Sequence, residues 1–159
     1  MKFALVDQLL AITPGKSITM AKNVSMAEEY LQDHFPGFPV LPGVMMLEAA
    51  IQTSAWLVRA TLGYDYSLIV LKEARGVRYG NFVAPGNTLV MQADAVKIEA
   101  TRSDFKIKGT LGTVDGPTAI QARIELVHLK LVDTDPAMAS ADERLRTSLK
   151  EQWEVLTRK

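Results

Sequence analysis

The chain contains no cysteine, which removes disulfides, thiolate nucleophiles and cysteine-based zinc sites together. Its two histidines, His34 and His128, are too few for a multi-histidine metal centre within one chain. Charge of one sign is also missing. Eighteen basic residues cancel eighteen acidic ones, so nothing in the balance draws the chain to nucleic acid or to an anionic membrane surface. No apolar run reaches the roughly 18 residues of a membrane span, so none is expected. The N-terminus meets Asp7 before any sustained apolar stretch and does not read as a signal peptide. The expected location is the cytoplasm. What is present is 48% hydrophobic and 23% charged residue over 159 positions, enough for one globular domain with a real core.

Over residues 2–12, Phe3, Val6, Leu9 and Leu10 fall at helical spacing and predict a short amphipathic helix stopped by Pro14-Gly15. Residues 16–24 alternate loosely around Ile18 and Met20 as a strand does. Residues 25–33 are polar and acidic around Tyr30 and Leu31, the pattern of a loop or helical turn. The stretch His34–Gly43 then packs three prolines and two glycines into ten positions. Regular helix and central strand are both forbidden there, and the backbone is stiff. Such a loop holds a side chain in a set direction.

Residues 44–62 are apolar on nearly every face and predict a buried helix about 28 Å long, with Gly63 closing it. Strand-like segments follow at residues 67–78, 88–99, 104–114 and 118–131. Pro85-Gly86-Asn87 and Asp115-Gly116 mark turns between them. Long antiparallel strands around one buried helix make an α+β pattern. Residues 133–141 read as a polar linker. Residues 142–158 read as a charged helix with Leu145, Leu149, Trp153 and Leu156 along one side, suited to packing on the body or on another subunit.

Two polar side chains interrupt the buried helix. Glu48 and Gln52 are four residues apart and therefore stack on one face. A carboxyl in an apolar helix is either a structural hydrogen-bonding group or a group of tuned acidity facing a cleft, and local sequence leaves both open. His34 gains interest from the stiff loop behind it, whereas His128, near the end of a strand, reads as structural. Pro42-Gly43 opens the helix. Its first N–H groups lack intrahelical acceptors and suit either a plain helix start or a site that holds a developing oxyanion.

The segment His34-Phe-Pro-Gly-Phe-Pro-Val-Leu-Pro-Gly43-Val-Met-Met-Leu-Glu48-Ala-Ala-Ile-Gln52 resembles the active-site segment of the (3R)-hydroxyacyl-acyl-carrier-protein dehydratases of bacterial fatty acid synthesis. The resemblance extends upstream through Pro14-Gly15-Lys16 to Lys22-Asn23-Val24 and downstream to Phe82-Val83-Ala84-Pro85-Gly86-Asn87. It covers about residues 1–132 and leaves residues 133–159, linker and C-terminal helix, outside it. It implies the hotdog fold, a long central helix wrapped by an antiparallel sheet, for residues 1–132.

The resemblance also implies roles. His34 takes the place of the general base, Glu48 that of the helix carboxylate, Gly43 that of the glycine whose N–H polarises the thioester, and Gln52 that of the supporting glutamine. A glutamate rather than an aspartate at position 48 favours simple dehydration over isomerisation. The reaction removes a Cα proton and protonates the departing hydroxyl, so it calls for no metal or redox cofactor. Family members are dimers, often gathered as trimers of dimers, with each site built from both partners. The implied partner is acyl carrier protein, with Arg59, Lys72, Arg75 and Arg78 as docking candidates. Phe35, Met45, Met46, Trp56 and Phe82 are the candidates for lining the substrate tunnel. Three positions depart from the family pattern: Asp33 stands where glycine is usual, Phe38 where a basic residue is frequent, and Asn87 where aspartate is usual. Two other readings stand beside dehydration. One is a hotdog thioesterase or acyl-coenzyme A hydratase, and the other is a non-catalytic acyl-binding subunit.

Overall fold

The alternating segments predicted as strands pair into one sheet. A computed structural model describes residues 3–158. Six strands, β1 (Gln8–Thr13), β2 (Ser17–Asn23), β3 (Leu68–Tyr79), β4 (Thr88–Ile98), β5 (Arg102–Leu111) and β6 (Thr118–Leu129), form one antiparallel sheet in the order β1-β2-β4-β5-β6-β3. The central helix α1 runs from Gly43 to Leu62. Among the described residues no helix is long and apolar enough to cross a membrane.

Small and β-branched residues set α1 into the sheet. Ala49, Ala50, Thr53, Ser54, Leu57 and Val58 are buried. The hydroxyls of Thr53 and Ser54 turn back to the carbonyls of Ala49 and Ala50 at 2.8 Å, so no polar atom there is stranded. Facing them are Met20, Met91, Phe105, Ile120 and Leu126, all essentially inaccessible to solvent. Gly63 ends the helix in the left-handed region, φ 71° and ψ 24°, where a residue without Cβ is not strained.

The N-terminal segment departs from expectation. The helix predicted over residues 2–12 is absent; residues 3–7 have no regular secondary structure and β1 begins at Gln8 (residue 2 lies outside the described residues). The reason lies in the pairing of β1 with β2, where the register shifts between Leu9 and Ala11. An irregularity of this kind breaks the two-residue alternation and leaves apolar residues at a spacing that imitates a helix.

At the other end, residues 133–141 are not a plain linker. A short helix α2 (Leu131–Thr134) and a 3-10 turn (Pro136–Met138) lead into α3 (Ala139–Leu156), which starts three residues earlier than the apolar stripe suggests. Asp142 anchors this segment. Its buried carboxylate accepts from the Ser67 hydroxyl at 2.6 Å and from the Leu131 N–H at 2.7 Å, and Arg146 Nε stands 3.0 Å away. Trp153 then packs on Trp56 with ring centroids 5.5 Å apart, and Leu156 is buried. The stripe packs on the body of the same chain.

Candidate active site

The stiff loop is held by its own backbone. Phe35 and Phe38 exchange two N–H···O bonds at 3.2 and 2.9 Å, Val40 N–H donates to His34 O, and Leu41 N–H donates to Val83 O. The Phe35 ring stands edge-on to the His34 imidazole, centroids 4.1 Å apart. His34 is thereby fixed at the wall of a cavity of about 300 Å³.

Gly43 and Met46 of α1 and Phe35 and Phe82 line the same cavity. The amides of Met45 and Met46 both donate to Pro42 O, whereas the Gly43 N–H precedes the first intrahelical acceptor. Glycine is required at this point by close approach. A Cβ there would stand 3.0 Å from the Tyr79 ring. Tyr79, Gly80 and Asn81, at the end of β3, complete the wall, and sequence reasoning missed all three. The one available signal was the pair of aromatics, Tyr79 and Phe82, around Gly80-Asn81 at a strand end. Gly80 presses on β6, since a Cβ would meet Thr118 O at 2.5 Å, and the Asn81 amide donates to that same carbonyl at 2.7 Å. The rim is apolar and exposed: Phe35, Phe38, Tyr79 and Phe82 are each at least half accessible, and Phe38 meets Phe82 edge-on.

Glu48 lies elsewhere. Gly43 and Glu48 are five residues apart on α1, a rotation of about 140°, so they look out on different sides of the helix. Glu48, Gln52, Trp56 and Arg59 line a separate groove of about 400 Å³, with Leu145 and Leu149 of α3 as its opposite wall. Within one chain the structure therefore gathers His34, Gly43, Phe35, Met46 and Phe82 at one place, and Glu48, Gln52 and Trp56 at another. Met45 belongs to neither; it is half-buried and packs on the core.

Gln52 fixes the carboxylate. Its Nε2 donates to Glu48 Oε1 at 3.0 Å and to Phe3 O at 2.9 Å, while its Oε1 accepts the Leu5 N–H at 2.9 Å. Three of the four bonding positions of one amide are thus used, one on Glu48 and two to tie α1 to the N-terminal segment.

The four basic candidates differ. Arg59 is half-buried under α3 with its guanidinium over the Trp56 ring. Lys72 pairs with Glu125 at 2.9 Å and Arg75 with Glu73. Arg78 is exposed, next in sequence to Tyr79 of the cavity wall, and without an ion pair among the described residues. His128 is buried and structural in its contacts: Nε2 lies 2.9 Å from Ser103 Oγ and Nδ1 3.0 Å from Ala100 O. Burial lowers its pKa.

The chain is similar to several known proteins. A 3-hydroxyacyl-acyl-carrier-protein dehydratase FabZ of Polynucleobacter necessarius subsp. necessarius is 39% identical over 122 residues, 77% of this chain and 80% of the relative. The FabZ of a Janthinobacterium species is 39% identical over 136 residues, 84% and 85% of the two chains. Among solved structures, the dehydratase heterocomplex ApeI:P from Xenorhabdus doucetiae superposes with a TM-score of 0.68 at 17% identity, covering 86% of this chain and 90% of that one. A hypothetical thioesterase with coenzyme A from Streptococcus pneumoniae superposes with a TM-score of 0.57 at 15% identity, covering 76% and 84%. At such identities these likenesses concern the hotdog fold alone. The model of the FabA-like domain matches residues 1–123, and with 39% identity to FabZ dehydratases across most of its length the chain belongs to that family.

Proposed function

We propose that the protein dehydrates a (3R)-hydroxyacyl thioester carried on acyl carrier protein to the trans-2-enoyl thioester, in fatty acid or related lipid biosynthesis. The observation that carries this reading is the 39% identity to FabZ dehydratases together with a family match over residues 1–123, the range that holds His34, Gly43, Glu48 and Gln52, joined to a cavity with a histidine and a free helix N–H on its wall.

The chemistry follows from those groups. His34 accepts the Cα proton as neutral imidazole. The electrons of the broken C–H bond form the double bond, and the Cβ–O bond breaks. Glu48 holds the departing hydroxyl and passes it the proton that makes it water. Charge rising on the thioester oxygen is met by the Gly43 N–H, a type of donor worth about 3 kcal/mol of barrier. The proton held on His34 then returns to Glu48, so the net products are the enoyl thioester and one water, and the balance needs no cofactor.

His34 and Glu48 must then face one substrate, and the rotation between Gly43 and Glu48 on α1 keeps them apart within a chain. A second copy that presents its His34 loop to this chain's Glu48 supplies the missing half. The edge strand β3 offers the means. It is twelve residues long, paired on one side only by β6, with Val70 and Leu71 exposed. The assembly is a dimer, or a hexamer of three such dimers. Arg78, exposed and free of an ion pair among the described residues, is the docking group best suited to an acidic carrier protein. A cytoplasmic location fits this partner.

The test is turnover of a (3R)-hydroxyacyl thioester with product analysis. Enoyl product, lost in folded His34→Ala and Glu48→Ala variants, is expected. Free acid would replace the reading with a thioesterase, and well-folded protein without turnover would replace it with a binding subunit.

A further inference from the structure

Glu48 and Arg59 are eleven residues apart on α1, three turns plus about 20°, so they share one face at a separation of about 16 Å along the axis. Both line the groove between α1 and α3. Trp56 forms its floor, and Leu145, Leu149 and Gln152, at i, i+4 and i+7 on α3, form the opposite wall. Its volume of about 400 Å³ is in the range of small-ligand sites.

The far end of this groove is electrostatically unfinished. The Trp56 ring covers one face of the Arg59 guanidinium at 5.2 Å, but the Arg59 Nε–H is buried with no acceptor among the described residues. No carboxylate among the described residues pairs with it, although Lys22, Lys72, Arg75, Arg102 and Arg146 all have such partners. Burial pushes its pKa down to about 10. The neighbouring Tyr64 hydroxyl is likewise buried without a partner and feels the Arg59 charge. A half-buried guanidinium without a counter-charge is open to an anionic group that enters the groove.

We propose that the α1–α3 groove receives the acyl tail of the thioester, and that Arg59 selects tails ending in an anionic oxygen group, a carboxylate, over alkyl tails of equal length. The thioester end of this inference rests on the dehydratase reading; the Arg59 end stands on the groove itself. The geometry assigns the length of the tail to the span from Glu48 to Arg59. It makes α3, a segment beyond the matched family domain, a determinant of specificity.

The experiment compares two (3R)-hydroxyacyl thioesters matched in length, one ending in methyl and one in carboxylate, on the wild type, Arg59→Met and Arg59→Lys. Binding of adipate to the same proteins is followed by calorimetry. The wild type is expected to favour the carboxylate tail by about tenfold or more in kcat/KM, as a charge-assisted hydrogen bond to a guanidinium would. Arg59→Met should abolish that ratio and adipate binding, and Arg59→Lys should restore part of both. Should Arg59→Met not fold, Leu149→Phe, which fills the groove while sparing the charge, is expected to weaken adipate binding. Dehydration of both tails with equal kcat/KM and no adipate binding overturns the inference and leaves the dehydratase reading intact. Adipate binding that depends on Arg59, without dehydration of either thioester, supports the anion site and sinks the dehydratase reading instead.

Discussion

The Gln52 amide donates to the Glu48 carboxylate at 3.0 Å while its other contacts hold the backbone of Phe3 and Leu5. One side chain thereby couples the orientation of the proposed catalytic carboxylate to the docking of the N-terminal segment. Replacing it with leucine leaves the Leu5 N–H without a partner. Gln52→Leu is expected to cost about 2 kcal/mol in urea unfolding and to lower turnover as well. An intact turnover number beside the stability loss would show that Glu48 needs no such hold.

His34, in the loop beside Gly43, and Glu48, on the other side of α1, predict complementation. His34→Ala and Glu48→Ala homodimers should each lose about 100- to 10,000-fold in turnover. Refolding the two together should recover roughly a quarter of wild-type activity, since half the dimers are mixed and each mixed dimer has one complete site of two. No recovery from a demonstrably mixed population would mean that both groups act from one chain.

Gly43→Ala tests the contact with Tyr79. The added methyl meets the ring at 3.0 Å, and the ring has to shift by a few tenths of an ångström. A stability loss of about 1 kcal/mol is expected, with a much larger loss of turnover because the ring and the Gly43 N–H share one cavity. Equal, small effects on both would assign Gly43 a packing role only.

Asp142→Ala should release α3. It strands the Ser67 hydroxyl and the Leu131 N–H in the interior, at a cost of about 3 kcal/mol. The Ser67 hydrogen bond, then the amides of Leu131 and Val132 and the charge of Arg146, hold this carboxyl below the ordinary 3.8. A lowered folded pKa means that the unfolded chain binds the proton more readily. The stabilisation is therefore present above pH 3.8 and is lost as pH falls through the folded value. Hydrogen exchange on α3 at pH 7 and under acid reads both effects. Unchanged α3 protection in the variant would show that Trp153 and Leu156 suffice.

His128 gives a second pH dependence, nearer neutrality. Burial first, against the Ala100 hydrogen bond, lowers its pKa from 6.5, so the fold holds it neutral while the unfolded chain protonates. Its contribution is complete above pH 6.5 and declines as pH drops below that value. Urea midpoints at pH 8 and pH 5.5 should diverge more for the wild type than for His128→Gln. Parallel behaviour of the two proteins would remove His128 as the cause.

The sequence by itself determined the central helix, the stiff loop, four of the six strands and β2 besides. In each case the signal is local: proline restricts φ, an all-apolar run has to be buried, and alternation at period two puts one strand face in the core. It also marked Glu48 and Gln52, because carboxyl and amide groups in an apolar helix stand out, and His34 and Gly43 through the stiff loop and the helix start. Strand β1 was hidden by its register shift, a property of pairing with β2 rather than of its own residues. Tyr79, Gly80 and Asn81 reach the His34 cavity only because β3 and β6 pair to their ends, and Arg59 became a groove residue only because α3 folds back through Asp142 and Trp153. That His34 and Glu48 occupy different sides of one chain was likewise decided by tertiary structure. The rotation of α1 follows from its residue count, but which face meets the loop and which meets α3 depends on how the sheet holds the helix.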